Sequence, residues 1–275
     1  MADFSLADLK TLRERLGTGM VDSKNALVEA GGDLEKATEL LRLKGAKGNA
    51  KRADRSTSEG LVAAKENGST TTLIELDCET DFVAKGEKFV KLGDTVLDAA
   101  IAAGATTVEE ALAARIGTQT VAELVSDEAA VLGEKIVLRR LVAIDAAKFS
   151  VYLHKTNKDL PPQVGVVVGY TGDDAETARS IAQHISFADP QYLSRDDVPT
   201  DVVETERRIV EEISRNEGKP EAALPKIIEG RVTGYFKQVA LLDQDYAKDN
   251  KLSVAKVLAD AGLTVTGFAR FKVGA

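Results

Sequence analysis

Polar and apolar residues alternate along Thr72-Leu73-Ile74-Glu75-Leu76-Asp77-Cys78 as they do in a strand, and from Phe82 to Val96 the apolar residues recur at helical spacing. The handover falls on Thr80-Asp81-Phe82-Val83-Ala84. An acidic residue and a large aromatic therefore stand side by side where a strand passes into a helix. On local chemistry alone, Thr80 or Asp81 caps the new helix through its side-chain oxygen and Phe82 folds onto the core.

Ahead of this stretch, residues 1–45 read as a three-helix N-terminal unit. Leu6, Leu9, Leu12 and Leu16 mark a first helix broken by Gly17-Thr18-Gly19. Ala26, Leu27 and Ala30 mark a second that stops at Gly31-Gly32, and Asp33 caps a third carrying Leu34, Ala37, Leu40 and Leu41. Residues 46–59 are polar, basic and glycine-containing, the composition of a solvated linker.

The core is expected in two halves, residues 60–145 and 146–275. In the first, Gly60–Glu66 and Ser69–Cys78 flank the turn signal Asn67-Gly68, helices follow over 83–103 and 108–125, and Glu134–Ile144 alternates as a strand. The second replays this order, with a hairpin of Phe149–His154 and Gln163–Tyr170, a helix over Asp174–Phe187 and a closing strand over Thr264–Val273. Into it, over about 200–238, a helical hairpin is inserted, marked by Val202, Ile209, Val210 and Ile213, then Leu224, Ile227, Ile228, Val232 and Tyr235. Its spacing suits an antiparallel coiled coil turning at Glu217-Gly218-Lys219-Pro220, and Pro225 must kink the second helix or delay its start. The fold class is α+β, with paired antiparallel sheets backed by helices.

Composition narrows the functional classes. A net charge of −8 argues against general nucleic-acid binding, and a protein partner suits an acidic surface better. No apolar run approaches the ~18 residues of a membrane span. Met1–Lys10 has no basic region followed by an apolar stretch, so no secretory signal is expected, and the single cysteine, Cys78, fits a reducing cytoplasm. No constellation for bond chemistry is present: there is no phosphate-binding glycine loop, and His154 and His184 stand apart from any metal-ligand pattern. Neither a cofactor nor a metal is called for, and Asp173-Asp174 and Asp196-Asp197 read as helix caps.

The stretch Ile74-Glu75-Leu76-Asp77-Cys78-Glu79 followed by Thr80-Asp81-Phe82-Val83-Ala84 resembles a signature of the bacterial elongation factor Ts family. So does Leu12-Arg13-Glu14-Arg15-Leu16-Gly17-Thr18-Gly19-Met20-Val21-Asp22-Ser23-Lys24, as do Gly218-Lys219-Pro220, Glu229-Gly230-Arg231 and Val265-Thr266-Gly267-Phe268-Ala269-Arg270-Phe271. The matches run in order over the whole chain. The resemblance implies a ubiquitin-associated-like opening bundle and a cytoplasmic guanine-nucleotide exchange factor for elongation factor Tu, with no enzyme chemistry of its own. It implies that Thr80, Asp81, Phe82 and Val83 dislodge Mg²⁺ in the partner, and that Arg13, Met20, Val21 and Lys24 dock on its GTPase domain. It also implies that His184 meets a more distant domain. Many members are expected to continue into a further helix beyond the last strand; here the sequence ends at Ala275, so that contact is either absent or replaced. A homodimer or a 2:2 complex stays open. So do two rival readings: a partner or chaperone of the same GTPase without exchange activity, and an RNA binder resting on the basic run Lys47–Arg55.

Overall fold

The computed structural model describes residues 4–275; Met1, Ala2 and Asp3, counted above in the N-terminal unit, lie outside the described residues. Ser5 and Asp8 cap each other's backbone to start α1 (Leu6–Leu16), and Gly17 ends it at φ 65°, in the left-handed region. After Gly19 come α2 (Met20–Glu29) and α3 (Leu34–Lys51), the latter capped by Asp33. Leu9, Leu12, Ala26, Leu27, Ala37 and Leu41 close a small core among the three.

β1 (Glu59–Asn67) and β2 (Thr70–Cys78) then pair antiparallel, Asn67 opposite Thr70, so the connection is the residue pair Gly68-Ser69. The chain continues through α4 (Asp81–Ala84), α5 (Glu87–Ala103) and α6 (Val108–Ala113). β3 (Arg115–Ile116), β4 (Gln119–Thr120), α7 (Val121–Leu132) and β5 (Val137–Asp145) complete this part. β6 (Lys148–His154), β7 (Val164–Thr171) and α8 (Ala175–Ala188) follow, then the hairpin helices α9 (Thr200–Asn216) and α10 (Leu224–Val239). The short pair β8 (Asp245–Tyr246) and β9 (Asp249–Ser253), α11 (Val254–Asp260) and β10 (Thr264–Lys272) end the fold.

The molecule is α+β. Its main sheets have the orders β1-β2-β5 and β10-β7-β6, so in each the second strand of a hairpin is central and a later strand returns beside it. One face of the first sheet carries Ile74, Leu76 and Cys78 into a core with α5, α6 and α7, centred on Phe89. Val166, Val168 and Tyr170 of β7 enter a second core with Ile181 and Ile185 of α8 and Leu258 of α11. Between the sheets, Val62, Leu73 and Val167 are buried with Val273, joined by Phe149 and Phe271. Val210, Leu224, Ile228 and Val232 hold the helical hairpin together.

Several expectations are corrected. The stretch read as a linker over 46–59 is helical as far as Lys51, because α3 packs on α7. Asn49 Nδ2 donates to the Ser126 carbonyl at 2.8 Å, Arg42 pairs with Asp127 at 3.1 Å, and a Cβ on Gly45 would lie 2.8 Å from that of Ala130. The glycine there permits close helix approach instead of flexibility. The helix expected over 83–103 breaks at Lys85-Gly86 into α4 and α5, and the one over 108–125 is interrupted by the β3–β4 turn, where Gly117 has φ 61°. Pro225 delays its helix: α10 begins at Leu224, so the proline occupies a first-turn position where no intrahelical N–H is needed.

Candidate protein-docking site

The turn that joins β2 to α5 is built from hydrogen bonds close in sequence and far from it. Thr80 keeps an extended backbone (φ −126°, ψ 155°) and its Oγ accepts from Val83 N at 3.4 Å, capping α4. The amides of Ala84 and Lys85 donate to the carbonyls of Thr80 and Asp81, both at 3.1 Å, and Gly86 N closes on Val83 O at 2.9 Å. Ala84 is buried and Val83 packs against the core of the first sheet, which fixes the inner side of the turn. Cys78, just before it, is buried and donates to the Thr80 carbonyl at 3.3 Å; burial pushes its thiol up to about 12, so it is no nucleophile.

With Val83 and Ala84 turned inward, their neighbours turn outward. Phe82 is 74% exposed, so the expectation that it folds onto the core is overturned. The break at Gly86 is the reason: a continuous helix would have carried Phe82 along the side of α5, whereas a single separate turn lifts it clear. Asp81 is exposed beside it. Lys85 reaches back over both, its Nζ 3.4 Å from Asp81 Oδ2 and 4.3 Å from the centre of the Phe82 ring.

The N-terminal candidates also lie on the surface. Met20 and Val21, in the first turn of α2, are 52% and 68% exposed, and Arg13 and Lys24 are exposed as well. Thr18 and Ser23 join their hydroxyls at 2.8 Å, and Ser23 Oγ donates to Gly19 O at 2.9 Å, which sets the corner between α1 and α2. At Gly17 in this corner, the space a side chain would take is filled by Val131 and the ammonium of Lys88. The corner thus sits against the end of α7 and the ammonium that Lys88 extends from the first turn of α5, the element that directly follows the Asp81–Phe82 turn.

His184 does not reach the surface. It is 3% exposed; Ala247 N donates to its Nδ1 at 3.2 Å, so Nε2 carries the proton and donates to Gln244 Oε1 at 2.8 Å. Burial lowers its pKa and the imidazole stays neutral. Direct contact of His184 with a partner is therefore corrected to a packing role. Three residues on, Phe187 is 84% exposed at the end of α8, strapped by Arg270, which donates to Ser186 O at 3.2 Å and pairs with Asp189 at 2.7 Å. The helix pattern contains the signal for this: Ala178, Ile181, Ala182 and Ile185 form the buried stripe, and Phe187 falls off it.

The description "Elongation factor TS" belongs to a family model that matches residues 79–275. Full-length alignments with relatives named elongation factor Ts give 75% identity over 276 residues for Leifsonia xyli subsp. xyli and 72% over 275 residues for Clavibacter sepedonicus. The one from Micrococcus luteus is 54% identical over 277 residues, and in all three alignments both chains are covered completely. This chain belongs to the elongation factor Ts family. As a member of the elongation factor Ts family, it is a translation factor by family name, and the matched region contains the Thr80–Ala84 turn, Phe187 and the whole of the second core, while Leu61, Ile74, Leu76 and Cys78 of the first core precede it. Among the described residues no three His, Cys, Asp or Glu side chains gather as a metal site would require, and no helix is long and apolar enough to cross a membrane.

Proposed function

We propose that this protein is the guanine-nucleotide exchange factor of elongation factor Tu, acting in the cytoplasm during translation elongation and carrying out no bond chemistry itself. The observation that carries the reading is Phe82, exposed on a hydrogen-bonded turn beside Asp81 in a chain of the elongation factor Ts family. An apolar ring kept in water without a folding reason is suited to insertion into a partner. Phe82 wedges between helices of the GTPase domain, while Asp81 approaches the groups that hold the Mg²⁺ water shell. Mg²⁺ demands near-ideal octahedral geometry, so a small displacement of its ligands releases it, and the nucleotide phosphates then lose their main charge compensation.

Thr80 and Val83 fix how the pair is presented. The opening bundle, of the ubiquitin-associated-like type, holds the GTPase domain through Arg13, Met20, Val21 and Lys24. Contact with a more distant domain of the partner passes from the buried His184 to Phe187. Together these contacts hold the nucleotide site open until GTP enters and expels the factor.

Linkage supplies the test. A factor that favours nucleotide-free elongation factor Tu must weaken GDP affinity by the same ratio. Calorimetric titration of this protein into nucleotide-free and GDP-bound elongation factor Tu should give dissociation constants at least about tenfold apart, a coupling of ~1.4 kcal/mol. Equal constants would leave a docking protein without exchange function.

A further inference from the structure

Beneath the exposed face of the motif, two carboxylates each accept from the backbone of the other's segment. Glu134, in the link between α7 and β5, accepts through Oε2 from the backbone amides of Glu79 and Thr80, each at 3.0 Å. Its Oε1 accepts from the Thr80 hydroxyl at 2.5 Å. Glu79 returns the contact, accepting from Lys135 N at 2.7 Å and from Arg55 at 3.0 Å. Lys135 Nζ in turn donates to the carbonyls of Ala53 and Arg55, at 2.6 and 3.0 Å, so the clasp reaches the segment that follows α3. Burial alone would raise the Glu79 carboxyl, but the Lys135 amide and the Arg55 guanidinium outweigh it and hold the pKa below the ordinary carboxylate value.

The detail that matters is the single proton of Thr80 Oγ. A hydroxyl that donates that proton to Glu134 must turn its lone pairs elsewhere, and one of them meets Val83 N. The carboxylate therefore orients the cap, and the cap sets α4, on which Asp81 and Phe82 stand. We propose that Glu134 is the positioning residue of the Asp81–Phe82 pair, acting through Thr80 and touching no partner itself. This rests on the exchange reading above. Sequence alone hides the role, since Glu134 lies 54 residues from Thr80 and outside any local capping pattern.

The test is stopped-flow release of a fluorescent GDP analogue from elongation factor Tu at saturating concentrations of the full chain, comparing wild type, Glu134→Gln, Glu134→Ala, Phe82→Ala and the double variant Phe82→Ala/Glu134→Gln. Displacing a working group by an ångström commonly costs up to ~100-fold in rate, so Glu134→Gln should lower the maximal release rate by about tenfold, with half-saturation shifted less than about twofold. In the Phe82→Ala background the same change should cost clearly less than in the wild type, because the ring is gone and only Asp81 is left to be misplaced. Amide hydrogen exchange at Val83 and Ala84 should quicken in both Glu134 variants, whichever partner is present. Wild-type maximal rates in both variants, or independent multiplicative losses in the double variant, would overturn the positioning role. If the wild type itself fails to accelerate release, the exchange reading falls instead.

Discussion

Asp81 and Asp77 lie four residues apart on one run of chain and meet opposite surroundings. Asp81 is in water beside Lys85, whereas Asp77 is fully buried on β2 with Glu75, also fully buried. A register shift in the β2–β5 ladder after Glu75 brings Arg139 to 3.6 Å from Asp77, while Arg140 pairs with Glu75. Burial, and after it the charge of Glu75, pushes the Asp77 carboxyl up to about 7 against the pull of Arg139. In the unfolded chain the same carboxyl ionises near ~4. The folded protein therefore binds a proton that the unfolded chain has released between those values, and stability must fall as pH rises through this window, by at most ~1.4 kcal/mol per pH unit. Asp77→Asn should remove this slope. In urea denaturation at pH 5 and pH 8, the wild type should lose more stability than the variant; parallel losses would contradict a buried proton on Asp77. The same residue-level view explains what the chain of letters hid. Phe82 and His184 look alike to a helical pattern, one an aromatic at a helix start and the other at a helix middle. Their exposures of 74% and 3% are decided by the break at Gly86 and by Gln244 and Ala247, which arrive from sixty residues or more away.

At the scale of elements, strands and hairpins were legible because their signals are local: the alternation of β2, the turn at Gly68, the caps Asp33 and Asp174. Glycines were the hard part, since the same residue serves a linker, a helix end or a close helix crossing. Gly45 and Gly48 lie one turn apart in α3 and differ in this respect. A methyl on Gly45 would meet the Cβ of Ala130 at 2.8 Å, a group fixed to the backbone of α7; one on Gly48 would meet only the guanidinium at the far end of the Arg52 side chain, at 3.3 Å. Gly→Ala in a helix ordinarily gains up to ~1 kcal/mol, and overpacking costs about 1–3 kcal/mol. Gly48→Ala should thus stabilise and Gly45→Ala should destabilise by about 1 kcal/mol or more, read as opposite shifts of the denaturation midpoint. Equal gains at both positions would return residues 46–51 to the status of a loosely packed segment.

For the whole molecule, the repeated sheet order β1-β2-β5 and β10-β7-β6 builds a two-sheet core with Phe82 borne by one half and Phe187 by the other. The order of elements was readable from the alternation of patterns, and the surface motifs from their resemblance to a family. The clasp of Glu79, Glu134 and Lys135 was not, because it joins segments that no periodic pattern relates. On the exchange reading, this scaffold spends binding energy on loosening a nucleotide in its partner. Stopped-flow release of a fluorescent GDP analogue from elongation factor Tu measures that directly, and the absence of tryptophan in this chain leaves the partner's own fluorescence readable beside it. Addition of the protein should accelerate release by orders of magnitude, and Phe82→Ala should remove most of the gain. A complex that forms while GDP leaves at its unassisted rate would contradict the claim.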